Sequence, residues 1–185
     1  MTHDQVVTIK RDVNAALIPL GTPVTIPEGS EVHIVQELGG SYTVSVNSNL
    51  VRIAGNDADA LGMQKPAIEQ ADAELHPDAD GPVNVDEVWA ILKTCYDPEI
   101  PVNVVDLGLI YSCIVADSGV ASGHVTITMT LTAPGCGMGP FIVEDVRTKA
   151  ASVKNVTDVH VELVFDPPWD RTMMSDEARL QLGMF

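Results

Sequence analysis

The segment from residue 125 to residue 132 constrains the fold of this chain more tightly than any other. Four apolar residues (Val125, Ile127, Met129 and Leu131) alternate here with four threonines. Side chains of a β-strand point alternately to the two faces of its sheet, so one face is apolar and the other carries hydroxyl groups. The pattern predicts a strand in a sheet that is covered on one side only.

The flanking sequence supplies two helices and two more strands. Asn84 is a suitable N-cap, and Glu87 three residues later completes a capping-box pattern. Pro98 disfavours helical geometry at Asp97, which predicts that the first helix ends there. The other predicted elements are a helix over Pro140–Val153 and strands over Tyr111–Val115 and Val159–Phe165. The order helix, strand, strand, helix, strand predicts a two-layer α+β domain over residues 84–165.

The rest of the chain divides into three further regions. Residues 1–54 predict a small all-β region, either a barrel or a folded-over sheet, in which turn residues separate five short strands. Residues 55–83 contain seven acidic residues and one lysine, which is typical of a solvated acidic linker. Residues 166–185 form a tail, in which Ser175 is the expected N-cap of a short helix that Gly183 closes. The five predicted strands are Val6–Lys10, Val24–Ile26, Glu31–Leu38, Ser41–Asn47 and Leu50–Ile53.

Charge and cysteine content exclude several classes of function. The formal net charge of −16 over 185 residues repels phosphate backbones and anionic lipid surfaces, which argues against nucleic-acid and membrane binding. No apolar run approaches the roughly 20 residues that span a bilayer, and no secretory signal is visible. Three unevenly spaced cysteines do not predict a disulfide framework. These features together predict a cytoplasmic protein.

Cys136 is the candidate reactive residue. It lies between Gly135 and Gly137, which have no side chains to shield the sulfur, and the loop leads directly into the helix predicted from Pro140. The free N–H groups and dipole of a helix N-terminus favour negative charge, so we expect a lowered thiol pKa. A glycine turn that merely contains a cysteine is the alternative. Cys95 and Cys113 lack this setting and are expected in the core.

A second candidate is the run Asp97-Pro98-Glu99-Ile100-Pro101, which is followed by Asp106. Carboxylates in a proline-stiffened loop could hold a cation or orient a neighbouring group. Ordinary turn chemistry explains the same residues and is the favoured interpretation from composition alone. The five histidines show no metal-ligand spacing and are expected at the surface.

These motifs carry a resemblance to a known family. The runs from Asp97 to Val102 and from Val105 to Tyr111, together with the loop from Thr132 to Cys136, are similar to the metal–sulfur cluster assembly factor family, whose domain is also called PaaD-like. The likeness covers about Asn84 to Phe165. The N-terminal extension and the tail further resemble the SufT branch of that family.

The resemblance implies an α+β domain of the iron–sulfur assembly type and an accessory role in maturing iron–sulfur proteins. It implies that Cys136 is the functional residue and metal ligand. Asp97, Glu99, Asp106, Thr132, Gly135 and Gly137 would support it. The expected cargo is an iron–sulfur cluster that binds transiently, shared across a homodimer or with a client. The expected partners are the iron–sulfur assembly machinery and client apoproteins.

A cluster takes about four thiolate ligands, whereas this chain offers one well-placed cysteine. A permanent cluster within one monomer is therefore not expected. We expect no enzymatic activity. Two alternatives stay open from sequence: a protein-interaction adaptor that binds no cluster, and a cysteine-dependent thiol enzyme.

Overall fold

The protein is described here from a computed structural model, which covers residues 5–64, 81–116 and 123–184. The chain forms two compact units, Met1–Ala71 and Asp72–Phe185. Each unit has its own hydrophobic core.

The first unit is a six-stranded antiparallel sheet of β1 Gln5–Thr8, β2 Val13–Leu17, β3 Pro23–Ile26, β4 Glu31–Leu38, β5 Ser41–Val46 and β6 Asn49–Ile53. The strand order in the sheet is β1-β4-β5-β6-β2-β3. Over the residues that the structure describes, β1 and β3 are its two edges, so the sheet is open rather than a closed barrel. All five predicted strands are present with small shifts at their ends, and β2 was missed. Its sequence, VNAAL, breaks the alternation and contains two alanines, which are weak strand formers. Pairing with β3 and β6 on its two sides gives β2 its conformation.

A 3-10 helix, Gly55–Leu61, follows the sheet and packs on its core. Ala58, Ala60 and Leu61 are buried there. Arg11 holds the helix through ion pairs of 2.7 Å with both Asp57 and Asp59. Residues 55–61 of the predicted solvated linker therefore form part of the first unit. Residues 65–80 of that linker lie outside the described residues.

Within its described residues, the second unit has three α-helices, one short 3-10 helix and a three-stranded sheet of order β7-β8-β9. The elements are α1 Val85–Leu92, β7 Ile110–Ala116, β8 His124–Met129, α2 Gly139–Ala151, β9 Asp158–Leu163, the 3-10 helix Arg171–Met173 and α3 Asp176–Gln181. Strands β7 and β8 pair antiparallel. Strands β8 and β9 pair parallel, and a helix connects the two. This order confirms the predicted α+β domain.

Only one face of this sheet is covered, as the alternation in β8 predicts. Val125, Ile127 and Met129 are at most 1% exposed and share a core with residues of α1 and α2. Thr126 and Thr128 on the other face are half-buried. Thr130 departs from this pattern because it follows the end of the strand and is completely buried.

The first helix begins as predicted but ends earlier. The Asn84 side chain accepts a hydrogen bond from Asp86 N and donates one to Glu87. The helix ends at Leu92 rather than at Asp97. A turn then places Cys95 in the core and lets Tyr96 pair with Asn103 in a short β-bridge. Pairing with a later segment therefore ends the helix before Pro98 can.

The tail packs on the second unit. Ser175 Oγ accepts a hydrogen bond from Ala178 N and caps α3. Gly183 closes the helix with a left-handed φ of 69°. Met174 and Ala178 are buried in the domain core. Both predicted ends of this helix are confirmed.

Candidate functional site

Cys136 lies in a turn that leads into α2. Its N–H donates to Ala133 O at 3.4 Å, and its carbonyl accepts from Gly139 N at 3.0 Å. Gly135 adopts a left-handed φ of 81°, and a Cβ at that position would meet nothing within 4 Å. The loop is therefore open to solvent beside the cysteine, and Cys136 itself is half-buried.

The helix end of this loop is tightly packed. Met138, the N-cap of α2, is completely buried. A Cβ on Gly139 would lie 2.6 Å from Leu131 Cδ1, so the start of the helix packs closely against the Leu131 side chain. One end of the loop is thus fixed while the cysteine end stays accessible.

Glu99 is the side chain that contacts the thiol. Its position depends on a loop of residues 97–106, called the acidic loop below. The Tyr96–Asn103 bridge and a bond from Asp97 N to Val102 O of 3.4 Å bring its ends together. Cys136 Sγ donates to Glu99 Oε1 across 3.9 Å. The partner of the sulfur is therefore a carboxylate on another segment.

Asp97 holds the start of the acidic loop in shape. Its Oδ1 accepts hydrogen bonds from Glu99 N at 2.8 Å and Ile100 N at 3.0 Å. Burial raises the pKa of Asp97, and these two N–H groups oppose that rise. The pKa of Glu99 is also raised, first by desolvation and then by the nearby Asp97 charge, while the Cys136 thiol lowers it. Two neighbouring carboxyl groups therefore have raised pKa values, and one of them, Glu99, contacts the thiol.

Asp106 and Thr132 hold different places. Asp106 Oδ2 accepts from Asn103 Nδ2 at 2.6 Å, and Asn103 Oδ1 accepts from Val105 N and Asp106 N. Asp106 thus stabilises the end of the acidic loop. Thr132 is half-buried and precedes the Cys136 turn, and over the described residues its side chain makes no hydrogen bond with the thiol. Sequence reasoning missed Asn103, although Asn and Asp three residues apart are typical of such a turn.

The other two cysteines lie in the core. Cys95 is completely buried, and Cys113 is half-buried against the same hydrophobic cluster. Burial raises the pKa of the Cys113 thiol. His33, His124 and His160 are exposed, whereas His3 and His76 fall outside the described residues.

Side chains that could complete a metal site are few. Across residues 5–64, 81–116 and 123–184, no three His, Cys, Asp or Glu side chains are placed to hold one ion. The described helices also include none that is long and apolar enough to cross a membrane.

Known proteins match the α+β domain that carries Cys136. Residues 85–163 match the family described as iron–sulfur cluster assembly protein. A relative from Porphyromonas gingivalis, named Fe-S protein maturation auxiliary factor, is 56% identical over 98 residues, which are 53% of this chain and 90% of the relative. This chain belongs to the iron–sulfur cluster assembly protein family. Its predicted place in iron–sulfur cluster assembly is confirmed.

A second relative named as a maturation factor gives the same assignment. The Staphylococcus aureus Fe-S protein maturation auxiliary factor SufT is 43% identical over 88 residues, covering 48% of this chain and 96% of that protein. The predicted SufT likeness is thereby confirmed for the part of the chain that this match covers. A crystal structure of a domain of unknown function from Bacillus anthracis is 35% identical and covers 54% of this chain and 92% of its own, with a TM-score of 0.49. The family match begins at Val85, so residues 1–84 precede it.

Proposed function

We propose that this protein is a non-enzymatic, cytoplasmic accessory factor that helps deliver iron–sulfur clusters to target apoproteins through Cys136. The observation that carries the proposal is the position of this cysteine. Its loop is open at Gly135 and fixed at Gly139, so the sulfur is accessible while its backbone is held. Membership of the iron–sulfur cluster assembly protein family supports an iron–sulfur cluster as the cargo.

Ligand counting defines how the cargo would be held. A cluster normally takes about four thiolates, and over the described residues Cys136 is the cysteine placed in an open loop, since Cys95 and Cys113 pack in the core. The remaining ligands would come from a second copy of the chain, a small thiol or the client itself. Shared ligation is weak in each partner and suits a protein that must release its cargo.

The proposed partners are the iron–sulfur assembly machinery and client apoproteins. Relatives are named maturation auxiliary factors, and one from Synechocystis is named iron-sulfur cluster carrier protein. The net charge of −16 argues against nucleic acid or an anionic membrane as partner.

The proposal is tested by anaerobic reconstitution with iron and sulfide, followed by visible absorption and transfer to an apoprotein. Wild-type protein should gain a sulfur-to-iron absorption band and activate the apoprotein, and Cys136→Ser should lose both. Cys113→Ala is the matched control, because it removes a core-packed sulfur and should retain both signals. If wild type and Cys136→Ser behave alike, cluster handling through this cysteine is refuted.

An adaptor that binds no cluster is the second candidate. It is favoured by the absence of any three-residue metal-ligand group from the described residues, and by the exposed side chains of Phe165 just before the tail and of Leu180 and Met184 within it. Complementation of a deletion strain separates the two functions. An adaptor predicts full complementation by Cys136→Ser, whereas the carrier predicts none. A thiol enzyme has less support, since the thiol contacts Glu99 rather than a histidine base.

A further inference from the structure

The C-terminal tail, residues 166–184, contacts the acidic loop and the residue just after it. Three hydrogen bonds join them: Trp169 Nε1 donates to Leu107 O at 2.8 Å, Ser175 N to Asp106 O at 2.8 Å, and Gln181 Nε2 to Pro101 O at 2.7 Å. Gly108 adopts φ 72° and lies so close to the Met173 backbone that no Cβ would fit. All three hydrogen-bond acceptors are backbone carbonyls, so these contacts fix the position of the backbone rather than the chemistry of a side chain.

The tail is itself held by the domain. Met174 and Ala178 are buried in the core, and Tyr111 Oη donates to Pro167 O at 2.7 Å. A segment that is anchored in this way can restrain the loop it contacts.

The restraint leads to Glu99. Pro101, whose carbonyl accepts the hydrogen bond from Gln181, is two residues after Glu99. A hydrogen bond of 2.6 Å from Val102 N to Ile100 O spans Pro101 and makes this part of the loop a tight turn. The segment before the acidic loop is held separately, because buried Lys149 Nζ donates a hydrogen bond to Thr94 O at 2.9 Å. Helix α2 thus holds the segment that enters the acidic loop, while the tail holds the segment that leaves it.

We infer that the tail is a strap that positions Glu99 against Cys136, with Gln181 and Trp169 as the positioning residues. The inference gives the tail a part in the proposed function of Cys136. Its test needs no iron or sulfide, so failure of the strap and failure of cluster delivery are separate results.

The experiment measures the rate at which iodoacetamide alkylates Cys136, by peptide mass spectrometry at one fixed pH. The variants are Gln181→Met, Trp169→Phe, Glu99→Gln and the double variant Gln181→Met/Glu99→Gln. The control is Leu180→Met, which alters an exposed neighbour of Gln181 in the same helix. Alkylation must break the hydrogen bond from Cys136 Sγ to the Glu99 carboxylate, and a neutral amide accepts that bond less strongly, so Glu99→Gln should raise the rate about two- to tenfold.

Gln181→Met and Trp169→Phe should raise the rate in the same direction, and Leu180→Met should leave it unchanged. Because the strap acts through Glu99, the double variant should match Glu99→Gln alone. Two results overturn the inference. One is an unchanged rate in both strap variants. The other is a double variant whose rate is the product of the two single effects, as a general loosening of the fold would give.

Discussion

Cys136 Sγ lies 3.9 Å from Glu99 Oε1, and this contact joins the open turn before α2 to the acidic loop. The two residues are 37 positions apart. They meet because Tyr96 pairs with Asn103 and because the end of β8 packs against Gly139. A thiol that would bind iron is therefore next to a carboxylate with a raised pKa.

Changing Glu99 should alter chemistry at Cys136 with little effect on folding. The side chain of Glu99 is exposed, so Glu99→Gln should shift the unfolding midpoint only slightly. Loss of the carboxylate should speed alkylation of Cys136 about two- to tenfold. Glu162→Gln is a control, because that exposed carboxylate lies in β9. Equal rates in Glu99→Gln and wild type would contradict the contact.

Asp97 should make the folded state less stable as pH rises. Its pKa is raised by burial, so the folded protein binds a proton here more readily than the unfolded chain does. The free energy of unfolding therefore falls as the pH rises from the ordinary aspartate pKa of 3.8 to the raised pKa of the folded state, and it stays lower above that pH. Asp97→Asn keeps an oxygen that can accept from Glu99 N and Ile100 N, and it removes the charge.

Urea unfolding of Asp97→Asn and wild type at a series of pH values checks this sign. The stability of the variant relative to wild type should increase from about pH 4 to neutrality. The opposite trend would mean that Asp97 is stabilised by a charge in the folded state.

Much of the second unit followed from local patterns. The alternation in β8 predicted a sheet covered on one face, and the Asn84 and Ser175 caps set the starts of α1 and α3. What the sequence did not show depends on long-range pairing. Strand β2 is defined by its neighbours, and α1 ends early because Tyr96 pairs with Asn103.

The candidate site was predictable in part. Cys136 was placed in an open glycine turn from the lack of neighbouring side chains, and the structure shows that turn. That its sulfur faces Glu99, rather than the N–H groups of the helix, depends on how the acidic loop folds back. Lys149 and the tail contacts help to set that fold, and no local sequence pattern indicates their role. The spacing of Asn103 and Asp106 is typical of a turn, but it does not indicate which residue the turn faces.

The three cysteines should differ in alkylation rate according to exposure. Cys136 lies in an open turn, Cys113 is half-buried with a pKa that burial raises, and Cys95 is completely buried. Iodoacetamide should therefore modify Cys136 first, Cys113 slowly and Cys95 only after unfolding. Peptide mapping over time gives the order, and denatured protein provides the control. Early modification of Cys95 would contradict the described core.

Thr130 should tolerate loss of its hydroxyl. The residue is completely buried, and in the described part of the chain its Oγ1 has no hydrogen-bond partner. A buried hydroxyl without a partner costs about 1–3 kcal/mol, so Thr130→Val should be neutral or raise the free energy of unfolding by about 1 kcal/mol. Thr128→Val is the comparison, since Thr128 is half-buried on the open face. A large loss in Thr130→Val would reveal a hydrogen bond through bound water.

Two glycines with similar backbone angles separate strain from steric clash. Gly135 has φ 81° with open space at the Cβ position, whereas Gly108 has φ 72° and the Met173 backbone occupies that space. Gly135→Ala should lose about 1–2 kcal/mol, the cost of a left-handed conformation. Gly108→Ala pays this cost and must also displace the tail, so its loss should exceed about 3 kcal/mol. Because the tail would then leave the acidic loop, Gly108→Ala should also speed alkylation of Cys136. Urea unfolding and the alkylation rate measure the two effects, and equal losses of stability in both variants would show that Met173 does not pack on Gly108.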